Sequence, residues 1–219
     1  MHETTQITYG EGTITITMSS ESLTEVSAPD VRFGDYNSAV KAFFTTKELA
    51  EIESGTDAQV EFTFVMRDEL SDHSQQKIFD KAIARAAKTS GTLHEGVYFD
   101  VEADKSIGGD QTVELDKLYE SVEVQFGIPL YLVAEDRYYY IMTNEAGSCE
   151  LEPDIDEDAD TLSVSTQGIG TTVMLYQSET ESLSRKDRVL HIQSHHLIIG
   201  GIILLALAWV FIDRNYRKG

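Results

Sequence analysis

The densest group of side chains that could bind a ligand is an acidic run in which seven carboxylates fall within eleven residues, 150 to 160. Like charges placed this closely repel one another, which raises the pKa of some of them and favours a divalent cation. Carboxylate oxygens are the ligands that calcium prefers. The run therefore predicts a weak calcium site with four candidate ligands: Asp154, Asp156, Asp158 and Asp160.

The spacing within this run does not match an EF-hand loop. Asp154, Asp156 and Asp158 occupy the alternate positions that such a loop requires, but position six is Ala159 instead of glycine, and position twelve is Ser165 instead of glutamate. Two interpretations stay open. The run is either a solvated hairpin turn between two strands or an extracellular calcium site with a dissociation constant of about 10⁻⁴ to 10⁻³ M. The sequence predicts no other cofactor.

Three histidines and one cysteine offer the other metal-binding or nucleophilic groups. His191, His195 and His196 could share a helix face, but no further zinc ligand is indicated, so we interpret them as polar residues at a membrane interface. Cys149 is the only cysteine, which excludes an intramolecular disulfide, and the acids around it disfavour its thiolate. No Ser-His-Asp signature or phosphate-binding loop occurs, so we do not predict an enzyme.

Tyr138, Tyr139 and Tyr140 are consecutive aromatic residues on which a carbohydrate ring could stack. Alternation along a strand places Tyr139 on the opposite face from the other two. We therefore expect part of this group to lie in the core and part on the surface.

The composition is that of a folded, strongly acidic protein. The 219 residues are 41% hydrophobic and carry a formal net charge of −21, which excludes nucleic acid as a partner because phosphate binding needs a basic surface. Residues 1–180 hold 11 basic and 35 acidic side chains, net −24, whereas residues 181–219 hold 6 basic and 3 acidic ones, net +3. The acidic side chains thus belong to a predicted ectodomain, and basic residues flank an apolar segment.

An uncharged run of sixteen residues, 197 to 212, predicts one transmembrane helix. The run would cover about 24 Å at about 1.5 Å per residue, and a helix that starts near Val189 would match the bilayer thickness. The predicted anchor residues are Leu197, Ile198, Ile199, Gly200, Gly201, Ile202, Ile203, Leu204, Leu205, Ala206, Leu207, Ala208, Trp209, Val210, Phe211 and Ile212.

The basic residues after this run predict a cytoplasmic C-terminus. Arg214, Arg217 and Lys218 lie within six residues of the run, closer than Arg185 on its other side. The first ten residues do not read as a signal peptide, because they have neither a basic nor an apolar region. Two alternatives stay open: the C-terminal part of a longer surface protein, with its ectodomain outside the cell, or a tail-anchored protein that faces the cytoplasm. We favour the first.

Hydrophobic alternation predicts a mainly β ectodomain, an antiparallel, Ig-like β-sandwich with two or three short helices at one end or edge. Predicted strands cover residues 58–66, 96–103, 112–115, 121–126, 137–143, 148–151, 161–165 and 171–177. The predicted domains are a β-hairpin at 1–18, interpreted as the end of an upstream repeat, a linker at 19–35, the ectodomain at 36–178, a juxtamembrane linker at 179–190, the transmembrane helix at 191–212 and a cytoplasmic tail at 213–219.

Several segments, in their chain order, resemble a known domain. They are E-G-V-Y-F-D-V (95–101), V-E-V-Q-F (122–126), R-Y-Y-Y-I-M-T (137–143), D-A-D-T-L-S-V-S-T (158–166) and T-T-V-M-L-Y (171–176). The pattern is similar to the C-terminal, membrane-proximal β domain of repeat-bearing surface proteins of gut Firmicutes, of the clostridial and lachnospiraceal type. The resemblance covers about residues 36–178 and transfers no catalytic residue.

This resemblance implies a stalk or spacer that presents upstream domains of the same protein. The chain has no L-P-x-T-G sorting signal, which leaves the apolar helix as its anchor in the lipid bilayer. The alternative hypothesis is an adhesin module that binds an extracellular protein or glycan.

Overall fold

A computed structural model describes residues 2–145, 147–156 and 158–179. These residues form a mainly β fold, as predicted, with eleven strands in two sheets and three helices. The strands are β1 (His2–Tyr9), β2 (Gly12–Ser22), β3 (Val31–Phe33), β4 (Ala58–Arg67), β5 (His94–Ile107), β6 (Val113–Glu114), β7 (Val122–Gly127), β8 (Arg137–Glu145), β9 (Ser148–Pro153), β10 (Thr161–Thr166) and β11 (Gly170–Ser178). The helices are α1 (Tyr36–Phe43), α2 (Thr46–Glu53) and α3 (His73–Ser90).

The larger sheet has the strand order β1-β2-β4-β5-β11-β8-β9, with β6 paired to β5, and the smaller sheet has the order β10-β7-β3. The last strand, β11, therefore lies inside the larger sheet. Neighbouring strands are antiparallel except β2 and β4, which pair in parallel from Ile14–Ala58 to Ser22–Met66. The prediction of a wholly antiparallel fold is wrong at this pair. A parallel pair needs a long crossover, and the segment with β3, α1 and α2 supplies it.

The N-terminal hairpin is an integral part of the larger sheet. Strands β1 and β2 pair over eight positions and turn at Gly10, whose φ is 62°, and Glu11. Ile14 and Ile16 are fully buried in the main core. The structure therefore does not support the interpretation of residues 1–18 as the end of a separate repeat. The predicted linker at 19–35 is also wrong in part, because it contains the end of β2 and the strand β3, which pairs with β7.

Local signals in the sequence define where the helices begin and end. Thr45 followed three residues later by Glu48 predicts a capping box, and the structure has it at the start of α2, with Thr45 and Glu48 bonded in both directions. The sequence also predicts Asn37 as the N-cap of the first helix, but the cap of α1 is Asp35, whose carboxylate accepts the first free backbone N–H groups. Helix α3 is capped by Asp72 and ends before Gly91, whose φ of 100° disfavours other residues.

Apolar clusters lie on both faces of the larger sheet. Its inner face shares one apolar core with the smaller sheet and with α1 and α2, and aromatic side chains dominate the centre: Phe33, Phe43, Phe62, Phe64, Phe99 and Phe126. On its outer face, Phe79 and Ile83 of α3 pack on Tyr98, Met142 and Leu175. The prediction that all helices lie at one end or edge is therefore wrong for the 18-residue α3, which packs on a sheet face.

None of the helices in the described residues is both long and apolar enough to cross a membrane. The predicted membrane anchor at residues 197–212, its basic flank and the three histidines lie outside the described residues.

Candidate functional site

The acidic run connects the two sheets. It begins within β9 of the larger sheet and ends just before β10 of the smaller one, so it is not a hairpin turn between paired strands, which was one of the two interpretations of the sequence. Backbone bonds hold it on both sides, because Asp154 N–H donates to the Tyr139 carbonyl and Ile155 N–H donates to the Ser163 carbonyl. The run is therefore a fixed crossover between the two sheets.

Two carboxylates in the middle of this run accept hydrogen bonds from the run itself and from β10. Asp154 Oδ1 accepts from the backbone N–H of Asp156, at 3.2 Å, and of Ser163, at 3.0 Å. Asp156 accepts from the Asp158 backbone N–H at 2.9 Å and from the hydroxyls of Thr161 and Ser163. These hydrogen bonds fix the conformation of the crossover. A solvated acidic turn would not need such bonds.

Two acids in this region hold protons more tightly than usual. Burial raises the pKa of Asp154 to about 6, against the hydrogen bonds from Ser163 and Asp156. Burial raises the pKa of Glu152 to about 7, and the nearby Glu150 and Glu145 add to the effect. The Glu152 Oε2 atom is buried with no hydrogen-bond partner. Repulsion, which the sequence suggested as the cause, is thus secondary to loss of water.

The structure does not gather the four predicted calcium ligands into a metal site. Among the described residues, no group of three or more His, Cys, Asp or Glu side chains is placed to hold a metal ion. Glu157, which belongs to the same run, is outside the described residues. A calcium site at this run stays a prediction.

The three tyrosines are divided between the two faces of β8, as alternation predicted. Tyr139 is 3% exposed, and its hydroxyl donates to the Leu132 carbonyl at 2.6 Å. Tyr140 packs on the cluster beneath α3, and its hydroxyl donates to Gln177 at 2.7 Å. Since Tyr139 and Tyr140 lie on opposite faces of β8, the three tyrosines do not form one stacking surface for a sugar.

Cys149 lies on β9 and is partly buried against the cluster beneath α3. Burial raises the pKa of its thiol. The sequence predicted that the thiolate of Cys149 is disfavoured, and the raised pKa agrees with this. The cause of the rise is desolvation of the thiol, and not the neighbouring acids. A thiol held in its neutral form is a poor nucleophile.

A buried lysine is the main polar feature that sequence reasoning missed. Lys105 on β5 is 5% exposed, and its Nζ donates to Glu48 Oε2 at 2.7 Å and to the Phe43 carbonyl at 3.1 Å. The amine also lies 4.6 Å from the centre of the Tyr119 ring. Strand alternation was the available signal, because Lys105 continues the series of inward positions that includes Val101 and Ala103.

An open groove lies between α3 and the segment that leads into β5, with a volume of about 540 Å³. Its walls combine apolar and acidic side chains: Ile83, Ala84, Ala87, Leu93, Asp80 and Glu95. The Tyr98 hydroxyl donates to Glu95 Oε2 at 2.6 Å and bonds to Gln76. Burial and this carboxylate raise the pKa of Tyr98 above its usual range. The groove can therefore accommodate an apolar group that carries a positive charge.

A smaller groove of about 280 Å³ is lined by acids of β5 and of the β6 region, among them Glu102, Glu114 and Asp116, together with uncharged residues. Asp100 at this groove is paired with Arg67, at 2.6 Å, and accepts from Thr171.

Comparison with known proteins gives no relative for this arrangement: no protein-family model, no curated protein and no solved structure matches the chain.

Proposed function

We propose that this chain is the membrane-proximal part of a single-pass bacterial surface protein and that its acidic β region is a spacer for upstream domains. The observation that carries the proposal is the uncharged run at 197–212, which follows the last strand by only 18 residues and has basic residues after it. The alternative of a tail-anchored protein that faces the cytoplasm uses the same anchor.

The polar groups inside the described fold support a structural role. Lys105 is bonded to Glu48 and to a backbone carbonyl, and Asp154 and Asp156 hold the crossover between the sheets. These groups have partners inside the protein, whereas a catalytic group needs an open approach for its substrate. A rigid, acidic body suits a spacer, because its charge keeps it in solution and away from anionic surfaces.

We also infer that the two sheets pack as a sandwich related to the Ig-like arrangement. One apolar cluster with side chains from both sheets, such as Phe64 and Phe126, supports the sandwich. The parallel β2–β4 pair departs from the Ig arrangement, whose sheets are antiparallel.

Membrane fractionation tests the anchor. The full chain should stay in the membrane pellet after an alkaline wash and should enter solution only with detergent. A double variant, Leu204→Arg with Leu205→Arg, should move to the soluble fraction, since each arginine at a helix centre costs about 2.5 to 3.5 kcal/mol on insertion scales. The matched control is Leu23→Arg with Leu130→Arg, because these leucines are 62% and 86% exposed. Recovery of the unaltered chain without detergent would contradict the proposal.

Protease treatment of intact cells tests the orientation. An ectodomain outside the cell should be degraded while a tag after Gly219 is protected. Degradation only after lysis would instead support the cytoplasmic, tail-anchored alternative.

The groove beside α3 favours a second candidate, a binding module for a ligand with an apolar and a basic part. The full chain in detergent should then bind saturably to specific members of a peptide or glycan array. Ala84→Trp should abolish the signal by filling the groove, while Thr89→Trp, an exposed position outside the groove on the same helix, should not. An array without signal leaves the spacer alone.

A further inference from the structure

The two outer strands of the larger sheet are protected to different degrees. Strand β9 forms one edge and β1 the other, and neither has a second neighbouring strand among the described residues. An open edge presents unpaired N–H and C=O groups to any extended chain, so proteins usually block it with charges, proline or a bulge. The side chains of each edge show which one is blocked.

Strand β9 carries the usual protection. It contains two carboxylates, Glu150 and Glu152, within six residues, and it ends at Pro153, which has no N–H to donate. Helix α3 and strand β10 also pack against it. A further strand is therefore disfavoured at this edge.

Strand β1 carries less of this protection. Its sequence, H-E-T-T-Q-I-T-Y, has no lysine and no proline, and its eight residues pair with β2 without a bulge. Glu3 is its only acid, in a chain whose net charge is −21. Threonine, isoleucine and tyrosine favour strands. Of the two outer strands of the larger sheet, the less acidic one is thus also the one better suited to pairing.

The hairpin geometry defines which backbone groups point outward. A two-residue turn closes on a hydrogen-bonded pair, here Tyr9 with Gly12. Because such pairs alternate along an antiparallel ladder, the N–H and C=O groups of every second residue point away from β2. The outward residues are His2, Thr4, Gln6 and Thr8, and all four side chains are exposed.

We propose that β1 is an interface at which two copies of this chain pair edge to edge, in antiparallel orientation, to join their larger sheets. A two-fold axis at Thr5 sets His2 against Thr8 and Thr4 against Gln6, so all four outward residues of each copy are bonded. Glu3 then faces Ile7 of the other copy, and no like charges are opposed. The edge is complementary to itself, which is what a two-fold interface requires.

The association is weak and reversible. One strand of eight residues buries less surface than the roughly 1,200 Å² at which stable interfaces begin. The net charge of each copy opposes approach, so added salt strengthens the dimer. The proposal does not depend on the membrane anchor, because β1 lies at the opposite end of the sequence.

Sedimentation equilibrium of the full chain in density-matched detergent tests the interface. We expect a concentration-dependent dimer for the unaltered chain. Gln6→Lys places a charge on the edge and should weaken dimerisation about tenfold or more, a change of about 1.4 kcal/mol. Gln6→Pro removes one outward N–H and no bond to β2, so it should act in the same direction.

Gln59→Lys is the matched control, because Gln59 is an exposed residue of β4 inside the same sheet. This variant should dimerise like the unaltered chain. In the unaltered chain, the amides of Thr4, Gln6 and Thr8 should exchange hydrogen more slowly at high protein concentration. A monomer at every concentration would overturn the proposal. So would equal association of the Gln6→Lys variant, since the apolar run or another surface would then be the contact.

Discussion

At the scale of single residues, Glu152 lowers the stability of the fold at neutral pH. Its folded pKa of about 7 lies above the ordinary value of 4.5, so the folded state binds the proton more tightly. The protonated Glu152 carboxyl therefore contributes fully to the free energy of unfolding below pH 4.5, and this contribution is lost as the pH rises through 7. Glu152→Gln should therefore raise the stability at pH 8 by about 1 kcal/mol, a discounted figure because the side chain is partly exposed.

Urea unfolding at pH 8 and at pH 4.5 checks this prediction. The gain from Glu152→Gln should shrink at the lower pH, where the native carboxyl is already protonated. Glu61→Gln, at an exposed position of β4, is the control and should give little change at either pH. Equal gains for Glu152→Gln at both pH values would exclude its titration as the cause.

Removal of Glu48 should lower the stability of the fold more than removal of its partner Lys105. Burial raises the pKa of Glu48, but the hydrogen bonds from Lys105 and Thr45 outweigh it and lower that pKa overall. Glu48→Gln keeps the shape of the helix cap but leaves a buried ammonium without its counter-charge, which should cost about 3 kcal/mol. Lys105→Met leaves a carboxylate that water can still reach, so its cost should be smaller, about 1 kcal/mol.

Chemical denaturation of the two single variants and the double variant measures this asymmetry. The double variant should be more stable than Glu48→Gln alone, because no unpaired charge remains. A larger loss for Lys105→Met than for Glu48→Gln would contradict the argument.

At the scale of elements, the crossover from β9 to β10 should respond only slightly to calcium. Its carboxylates already accept hydrogen bonds from Ser163 and Thr161. An ion present at its dissociation constant stabilises by RT ln 2, about 0.4 kcal/mol. We expect a small rise in melting temperature in millimolar calcium. Simultaneous replacement of Asp154, Asp156 and Asp158 by Asn should abolish it. Equal melting temperatures in calcium and in chelator would leave the crossover a structural element alone.

Most elements could be predicted from local patterns. The alternation of Val60, Phe62 and Phe64 predicted β4, and Thr45 with Glu48 predicted the start of α2, because neighbouring residues determine both signals. The partners of the strands could not be predicted this way. Nothing near Ile14 indicates that its strand pairs in parallel with β4, more than forty residues later.

The candidate site was predictable only as a list of residue types. The sequence identified Asp154 and Asp156 as candidate ligands, but their bonds to Ser163 depend on β10, which belongs to the other sheet. Strand alternation indicates that Lys105 faces inward, but its partner Glu48 could not be predicted, because Glu48 lies far away in the chain and is brought near by folding. Long-range contacts of this kind leave no trace in the local sequence.

At the scale of the whole molecule, the charge of residues 1–180, net −24, should make stability depend on salt. Like charges repel across the surface, and raising the ionic strength from about 10 mM to about 1 M shortens the screening length from about 30 Å to about 3 Å. The melting temperature should therefore rise with sodium chloride. An equal response in a choline salt would identify screening, whereas a rise specific to one cation would identify binding.

The position of β11 also affects the order in which the protein can be completed during synthesis. This last strand lies between β5 and β8, with Gly170 beside Val101 and Thr172 beside Thr143. Until the ribosome has released it, the larger sheet stays in two parts, each with an unfilled edge. Pairing between such distant residues is slow, in the range of milliseconds to seconds. Only 18 residues separate Ser178 from Leu197, which at about 5 to 20 residues per second corresponds to about 1 to 4 s of synthesis. The sheet closes, therefore, in nearly the same interval in which the apolar run emerges.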